Sequence, residues 1–269
     1  MKRAKEFLEG IFKVIKREEM RILPGQLAFF IVFSLLTIFS LIGLIGSNFI
    51  TKELIMGMED TLPSAISTIL KSILEKDVTD FNMIVFVLFS LYIASNGCGS
   101  MIITSNALYK IKNDNIIKQK VKAFIMTIIL IILILFIVLV PAFGELIIDT
   151  LQNHYPGRLI ETISQIYTWC RLPLSFVMIF VGVKILYTMA PDKRISSRYT
   201  NYGALFTTIL WIVITKLYSV YLNNINTYNI FYGSLANIVI LLFWVYLLAY
   251  VFTLGIALNM EHYYDSQDV

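Results

Sequence analysis

Apolar residues in this chain fall into six long blocks separated by short polar intervals. This alternation predicts six membrane-spanning helices, at about 27–50, 82–107, 123–143, 172–190, 203–222 and 235–260. Each block is close to the roughly 20 residues that a helix needs to cross a hydrocarbon core. The intervals carry their own patterns. Residues 2–22 place Ala4, Phe7, Leu8, Ile11 and Ile15 at helical spacing opposite Lys and Arg, which predicts an amphipathic helix on the cytoplasmic interface or a lid over the spans. Pro24-Gly25 then predicts a break before the first span. Pro63 opens a second short amphipathic pattern through Leu74. The interval 144–170 reads as a polar loop, with Ile163, Ile166 and Tyr167 suggesting a further surface helix. No interval is long enough to separate domains, so the expected fold is all-α: a single membrane domain over 1–269, a polytopic six-helix bundle with short amphipathic surface helices.

Composition supports that reading. Hydrophobic residues make up 58% of the chain and charged ones 15%, against about 25% charged in a soluble domain. Charge position adds an orientation. Of the 22 Lys and Arg, seven precede the first span, five follow the second and three follow the fourth, whereas the opposite loops hold five. The positive-inside rule then places both termini in the cytoplasm. Cys98 and Cys170 are too few for a disulfide framework, and no cleavable signal peptide is read at the start.

The second span is the unusual one. Between Tyr92 and Asn106 it carries two Asn, two Gly and several hydroxyls. Such groups must face protein or water, because an unsatisfied polar group in hydrocarbon costs several kcal/mol. On a helical wheel Tyr92, Asn96, Gly99, Ile103 and Asn106 form one stripe, and Gly97 and Gly99 permit close backbone approach. Thr208, Thr215, Ser219 and Asn223 form a stripe on the fifth span, and Asn237, Trp244, Gly255 and Asn259 share a face of the sixth. Lys184 and Lys216 lie about six residues inside their spans, roughly 9 Å deep, one in the cytoplasmic half and one in the outer half. Snorkelling to the nearer interface explains either lysine alone. Together they suggest inner and outer stations for an anionic headgroup. The candidate substrate pathway is therefore Asn96, Gly97, Gly99, Asn106, Lys184, Lys216, Asn237 and Asn259. The competing explanation is that the Asn and hydroxyl groups are interhelical glue, worth about 0.6–2 kcal/mol each. Glu145 and Arg171, at the ends of the third and fourth spans, are expected to pair across the outer mouth.

Several short motifs taken in order resemble the YihY / virulence factor BrkB family of bacterial membrane proteins. They are Ala28-Phe29-Phe30 with Ser34-Leu35, Ser95-Asn96-Gly97, Asn106-Ala107-Leu108-Tyr109, Gly203-Ala204, Leu210-Trp211, Tyr232-Gly233-Ser234-Leu235, Trp244-Val245-Tyr246, and Leu254-Gly255-Ile256-Ala257-Leu258-Asn259. Thr37 stands where the family often has Pro, and Ala257 where it commonly has Glu. The resemblance covers nearly the whole chain. It implies a six-span inner-membrane protein, linked through its relatives with virulence, envelope lipid handling and transport, and once labelled ribonuclease BN.

The residues themselves argue against an enzyme. His154 and His262 fall on opposite faces of the membrane, and the carboxylates sit in loops and tails rather than converging in a span. No phosphate-binding loop, nucleophile elbow or dinucleotide fingerprint occurs. No cofactor or metal is expected. The basic loops follow from topology and need no nucleic-acid partner. The expected partners are membrane lipids and an anionic amphipathic substrate. The expected role is transport or transbilayer movement of an amphipathic or anionic envelope molecule such as lipid, in the bacterial plasma membrane. A non-transporting structural scaffold of the envelope is the alternative.

Overall fold

The structure, a computed structural model, describes residues 14–46, 80–112, 115–154, 157–224 and 234–266. It contains α1 (Glu19–Gly46), α2 (Asp80–Leu108), α3 (Ile116–His154), α4 (Arg158–Met189), α5 (Asn201–Asn224) and α6 (Ser234–Asp265), with no strand among the described residues. All six helices are long and apolar enough to cross a membrane. The anticipated segment around Pro63 lies outside the described residues.

Successive helices pack side by side, and α6 returns to lie against both α1 and α2, closing the ring. One end of the bundle gathers the starts of α1, α3 and α5 with the ends of α2, α4 and α6. Here the Tyr264 hydroxyl donates to the Tyr109 carbonyl at 2.9 Å, and Arg17 pairs with Glu261 at 3.0 Å. This end is called basal and the other distal. The core sits in the basal half. Residues 251–260 of α6 form an unbroken buried run, and residues 94–106 of α2 are all buried or half-buried. Among the described residues of α5 the buried ones are in its first turns, at Gly203, Ala204, Thr207 and Thr208. Small side chains explain the location, because they let helix backbones approach where larger residues hold them apart. On α3, Ile125, Ile128, Ile132 and Phe136 are exposed, as expected of a wall turned to lipid.

Three prolines lie inside helices, and the break expected at Pro24-Gly25 does not occur. Pro24 lies inside α1, whose first turn begins at Glu19, so residues 19–22 belong to the first span rather than to a separate surface helix. Having no N–H, Pro24 forgoes a single backbone bond, in the second turn of the helix. Residues 14–18 form the preceding turn, with the Arg17 amide donating to the Val14 carbonyl at 3.1 Å. Pro141 and Pro173 lie inside α3 and α4. The expected loop over 144–170 is thereby corrected: α3 runs on to His154, and α4 begins at Arg158. The 39 residues of α3 reach roughly 58 Å, well beyond a 30 Å hydrocarbon core. The neighbour makes this possible. The Tyr167 hydroxyl donates to the Pro141 carbonyl at 2.5 Å, and its ring packs where Gly144 has no side chain. Glu145 and Arg171 pair at 3.1 Å in the same distal extension, as anticipated.

Candidate functional site

The polar stretch of α2 divides into three environments. At its basal end Asn106 is fully engaged. Its amide nitrogen donates to Asp192 Oδ2 at 2.5 Å, and its amide oxygen accepts from the Asp192 backbone at 2.9 Å. Lys122 of α3 completes this clasp, donating to Asp192 Oδ1 (2.6 Å), the Pro191 carbonyl (2.8 Å) and the Ala190 carbonyl (2.9 Å). An ammonium has three donors, so Lys122 is saturated. It satisfies carbonyls at the negative end of α4 that the helix cannot satisfy itself. The chain leaves α2 through a reverse turn in which the Ile111 amide donates to the Asn106 carbonyl and the Lys110 amide to the Ala107 carbonyl. Lys110 holds the left-handed position of this Schellman turn at φ 53°, a place that usually takes Gly. Tyr109, just after α2, is buried, and that burial, with Tyr264 and Tyr263 beside it, raises its phenol above the usual range.

In the middle of the stretch the two glycines differ. A Cβ on Gly97 would lie 2.3 Å from Ser34 Oγ and 2.7 Å from Ser34 Cβ, so α1 and α2 touch through this position. A Cβ on Gly99 would meet only Ala123 Cβ, at 3.8 Å. Toward the distal side, Asn96 Oδ1 accepts from Lys120 Nζ at 2.7 Å, and the same ammonium lies 4.4 Å from the ring centroid of Tyr92. Several hydroxyls of α1 and α2 stay unmatched. Ser34, Ser100, Thr104 and Ser105 are buried with no hydrogen-bond partner among the described residues.

A second polar contact joins α4, α5 and α6. Asn259 Oδ1 accepts from the Gly203 amide at 2.8 Å, capping a first-turn amide of α5 from the neighbouring helix, while its Nδ2 is buried without a partner. The Tyr187 hydroxyl donates to the Phe252 carbonyl at 2.9 Å. The same hydroxyl shares a hydrogen bond with the Thr207 hydroxyl at 2.6 Å, and Thr207 in turn lies 3.5 Å from the Val251 carbonyl. A Cβ on Gly255 would fall 2.1 Å from the Tyr187 hydroxyl, and one on Gly203 would fall 2.2 Å from the Gly255 carbonyl. These glycines are the reason α5 and α6 can meet.

The seven candidate residues whose side chains are described therefore do not meet at one place. Asn96, Gly97, Gly99 and Asn106 line α2 with different partners, and Asn259 belongs to the α5–α6 contact. Lys184 is half-buried on α4 and Lys216 exposed on α5, neither with a side-chain partner among the described residues. The side chain of Asn237 lies outside the described residues. The stripe proposed on α5 does not converge inward. Thr208 is buried and bonds the Ala204 carbonyl of its own helix at 2.8 Å, but Thr215 and Ser219 are exposed. Sequence reasoning missed Lys120 and Lys122, which it counted among the five basic residues after the second span, and Asp192 after the fourth. The available signal was their position just outside predicted spans, close enough for a long side chain to reach inward.

His154 ends α3 at the distal side, while His262 packs beside Tyr202 at 4.8 Å among the basal aromatics. Among the described residues no group of three or more His, Cys, Asp or Glu is placed to hold a metal. Near the distal end α5 and α6 enclose an apolar groove of about 450 Å³, lined by Ile214, Leu217, Tyr218, Phe243 and Trp244 among others.

This arrangement has counterparts by sequence. A "Putative ribonuclease-like protein YfkH" of Bacillus subtilis is 28% identical over 261 residues, 94% of each chain. A UPF0761 membrane protein of Vibrio cholerae is 32% identical over 114 residues, 40% of this chain and 38% of its own length. Another, from Pseudoalteromonas translucida, is 35% identical over 86 residues, 32% of this chain and 29% of its own. No solved structure matches. The family model described as virulence factor BrkB matches residues 11–268, which takes in all six helices, the α2 clasp and the α5–α6 glycine contact, and the chain belongs to that family of membrane proteins.

Proposed function

We propose that this protein moves an amphipathic, anionic envelope molecule such as a lipid between the leaflets of the bacterial plasma membrane, with its basal end and both termini in the cytoplasm. The supporting observation is the set of buried, unpartnered hydroxyls at Ser34, Ser100, Thr104 and Ser105 along α1 and α2. A buried polar group without a partner costs about 1–3 kcal/mol, and although Ser34 packs against Gly97, an alanine would pack there without that cost. A path for polar headgroups does give one. The test is leaflet exchange of headgroup-labelled lipids in proteoliposomes, read with a membrane-impermeant quencher. Ser100→Ala and Thr104→Val remove unpartnered hydroxyls and should leave the fold as stable or more so while slowing exchange. Wild-type protein, shown to be folded, that exchanges no lipid above empty vesicles would refute the proposal.

A scaffold is the second reading, and one observation favours it. Asn106 and Asn259, which sequence reasoning placed on the pathway, both serve as structural bonds, Asn106 to the turn after α4 and Asn259 to α5. Under that reading the same variants leave every envelope property unchanged.

A further inference from the structure

Lys120 and Lys122 stand two residues apart in the first turns of α3 and have opposite surroundings. Lys122 spends its three donors on two carbonyls and the Asp192 carboxylate. Lys120 gives one donor to Asn96 Oδ1 at 2.7 Å and lies on the face of Tyr92 at 4.4 Å, and among the described residues it makes no ion pair. Its direction is also unusual. Gly99 faces Ala123, so Lys120 starts almost a turn basal to that level and reaches past it to Asn96. A lysine near a helix end ordinarily runs the other way, toward the interface. Here Asn96 and Tyr92 hold the ammonium inward with two donors uncommitted. Beyond it the α2 side of the seam is apolar and exposed, at Val85, Phe89 and Tyr92, which share a helix face with Asn96.

We propose that the α2–α3 seam at Lys120 binds the headgroup phosphate of an anionic membrane phospholipid, with Lys120 as donor, Asn96 and Tyr92 positioning it, and the acyl chains lying along the exposed ridge toward the distal side. The order of the groups selects the ligand: a cation at the basal end of an apolar ridge matches a phosphate at the head of two hydrocarbon chains. A soluble anion gains nothing from the ridge. A carboxylate from a neighbouring chain would need a polar path that the ridge does not offer. The assignment rests on the lipid-handling reading for its choice of ligand, and its test measures binding without movement.

The test is native mass spectrometry of the full chain released from detergent, titrated with phosphatidylglycerol, phosphatidylcholine or inorganic phosphate. The variants are Lys120→Gln, Lys120→Arg, Tyr92→Leu and Lys118→Gln, the last removing an exposed cation from the same turn. The expected result is preferential retention of phosphatidylglycerol, weakened about fivefold or more by Lys120→Gln and less by Tyr92→Leu, but kept by Lys120→Arg and Lys118→Gln. Equal losses in Lys118→Gln and Lys120→Gln would overturn the site in favour of diffuse surface charge. Competition by inorganic phosphate at the lipid's own concentration would overturn the lipid assignment. A dimer without bound lipid would reassign the ridge to a contact between copies. Thermal melting of each variant confirms that a loss of binding is not a loss of fold. Lipid that binds through Lys120 but never changes leaflet would refute the transport reading and leave this site standing.

Discussion

Replacing Gly97 and Gly99 separately by Ala asks what each glycine does, because both gain the same helix propensity, about 1 kcal/mol. Their difference therefore isolates packing. A methyl on Gly97 arrives 2.3 Å from Ser34 Oγ, 2.7 Å from Ser34 Cβ and 3.4 Å from the Phe30 carbonyl. Rotating the hydroxyl clears the first contact but not the second, since Cβ is fixed to the backbone. Helices α1 and α2 must then separate along a buried seam, and overpacking of that kind costs about 1–3 kcal/mol. A methyl on Gly99 meets Ala123 Cβ at 3.8 Å, ordinary van der Waals contact. Gly97→Ala should thus be less stable than Gly99→Ala by about 1–3 kcal/mol. The assay is reversible unfolding in mixed micelles at increasing SDS fraction, followed by circular dichroism. Adding Ser34→Gly to Gly97→Ala removes the blocking Cβ and should recover at least half of the deficit. Equal midpoints for the two alanine variants, or a more stable Gly97→Ala, would refute the close α1–α2 contact.

Other expectations follow from the same geometry. Lys110→Gly should raise stability by about 1 kcal/mol, because the left-handed position at φ 53° strains any residue with a Cβ; differential melting in detergent reads it. Asp192→Ala should lower stability by about 1–2 kcal/mol, leaving Lys122 and Asn106 without their shared acceptor. A double-mutant cycle with Asn106→Ala should be clearly non-additive, and additive losses would dissolve the clasp. Glu145→Gln should cost under about 1 kcal/mol, since both partners of its ion pair are well exposed, and added salt should erase the difference.

The parts of the site that the sequence made legible were those written in residue type. Asn96, Gly97 and Asn106 stand out because polar and small residues are rare in an apolar block, and each does contact a neighbouring element. Their partners were not legible. Asp192 follows α4 by chain position yet bonds Asn106, 86 residues earlier, and no local pattern marks a pairing across that separation. Lys120 and Lys122 have the same residue type and nearly the same position. One is a saturated structural cap and the other keeps open donors, a distinction set by which face of α3 meets α2 and which meets the end of α4.

The sequence by itself determined that this is a six-helix membrane protein, and it located α2, α5 and α6 closely. The reason is that hydrocarbon imposes a one-dimensional rule: about 20 apolar residues with all backbone bonds satisfied internally. That rule also explains where sequence reasoning stopped short. It sees the bilayer but not the helix beyond it, so it ended α3 near Pro141 and opened a loop. Only the tertiary structure carried α3 on to His154, because Tyr167 of the neighbouring helix packs against Gly144 and bonds the Pro141 carbonyl. Tertiary structure likewise decided that Gly97 is a contact and Gly99 a spacer, and that Asn259 caps α5. Each of these outcomes depends on which backbone lies within a few ångströms, and helix packing sets that distance while periodicity does not.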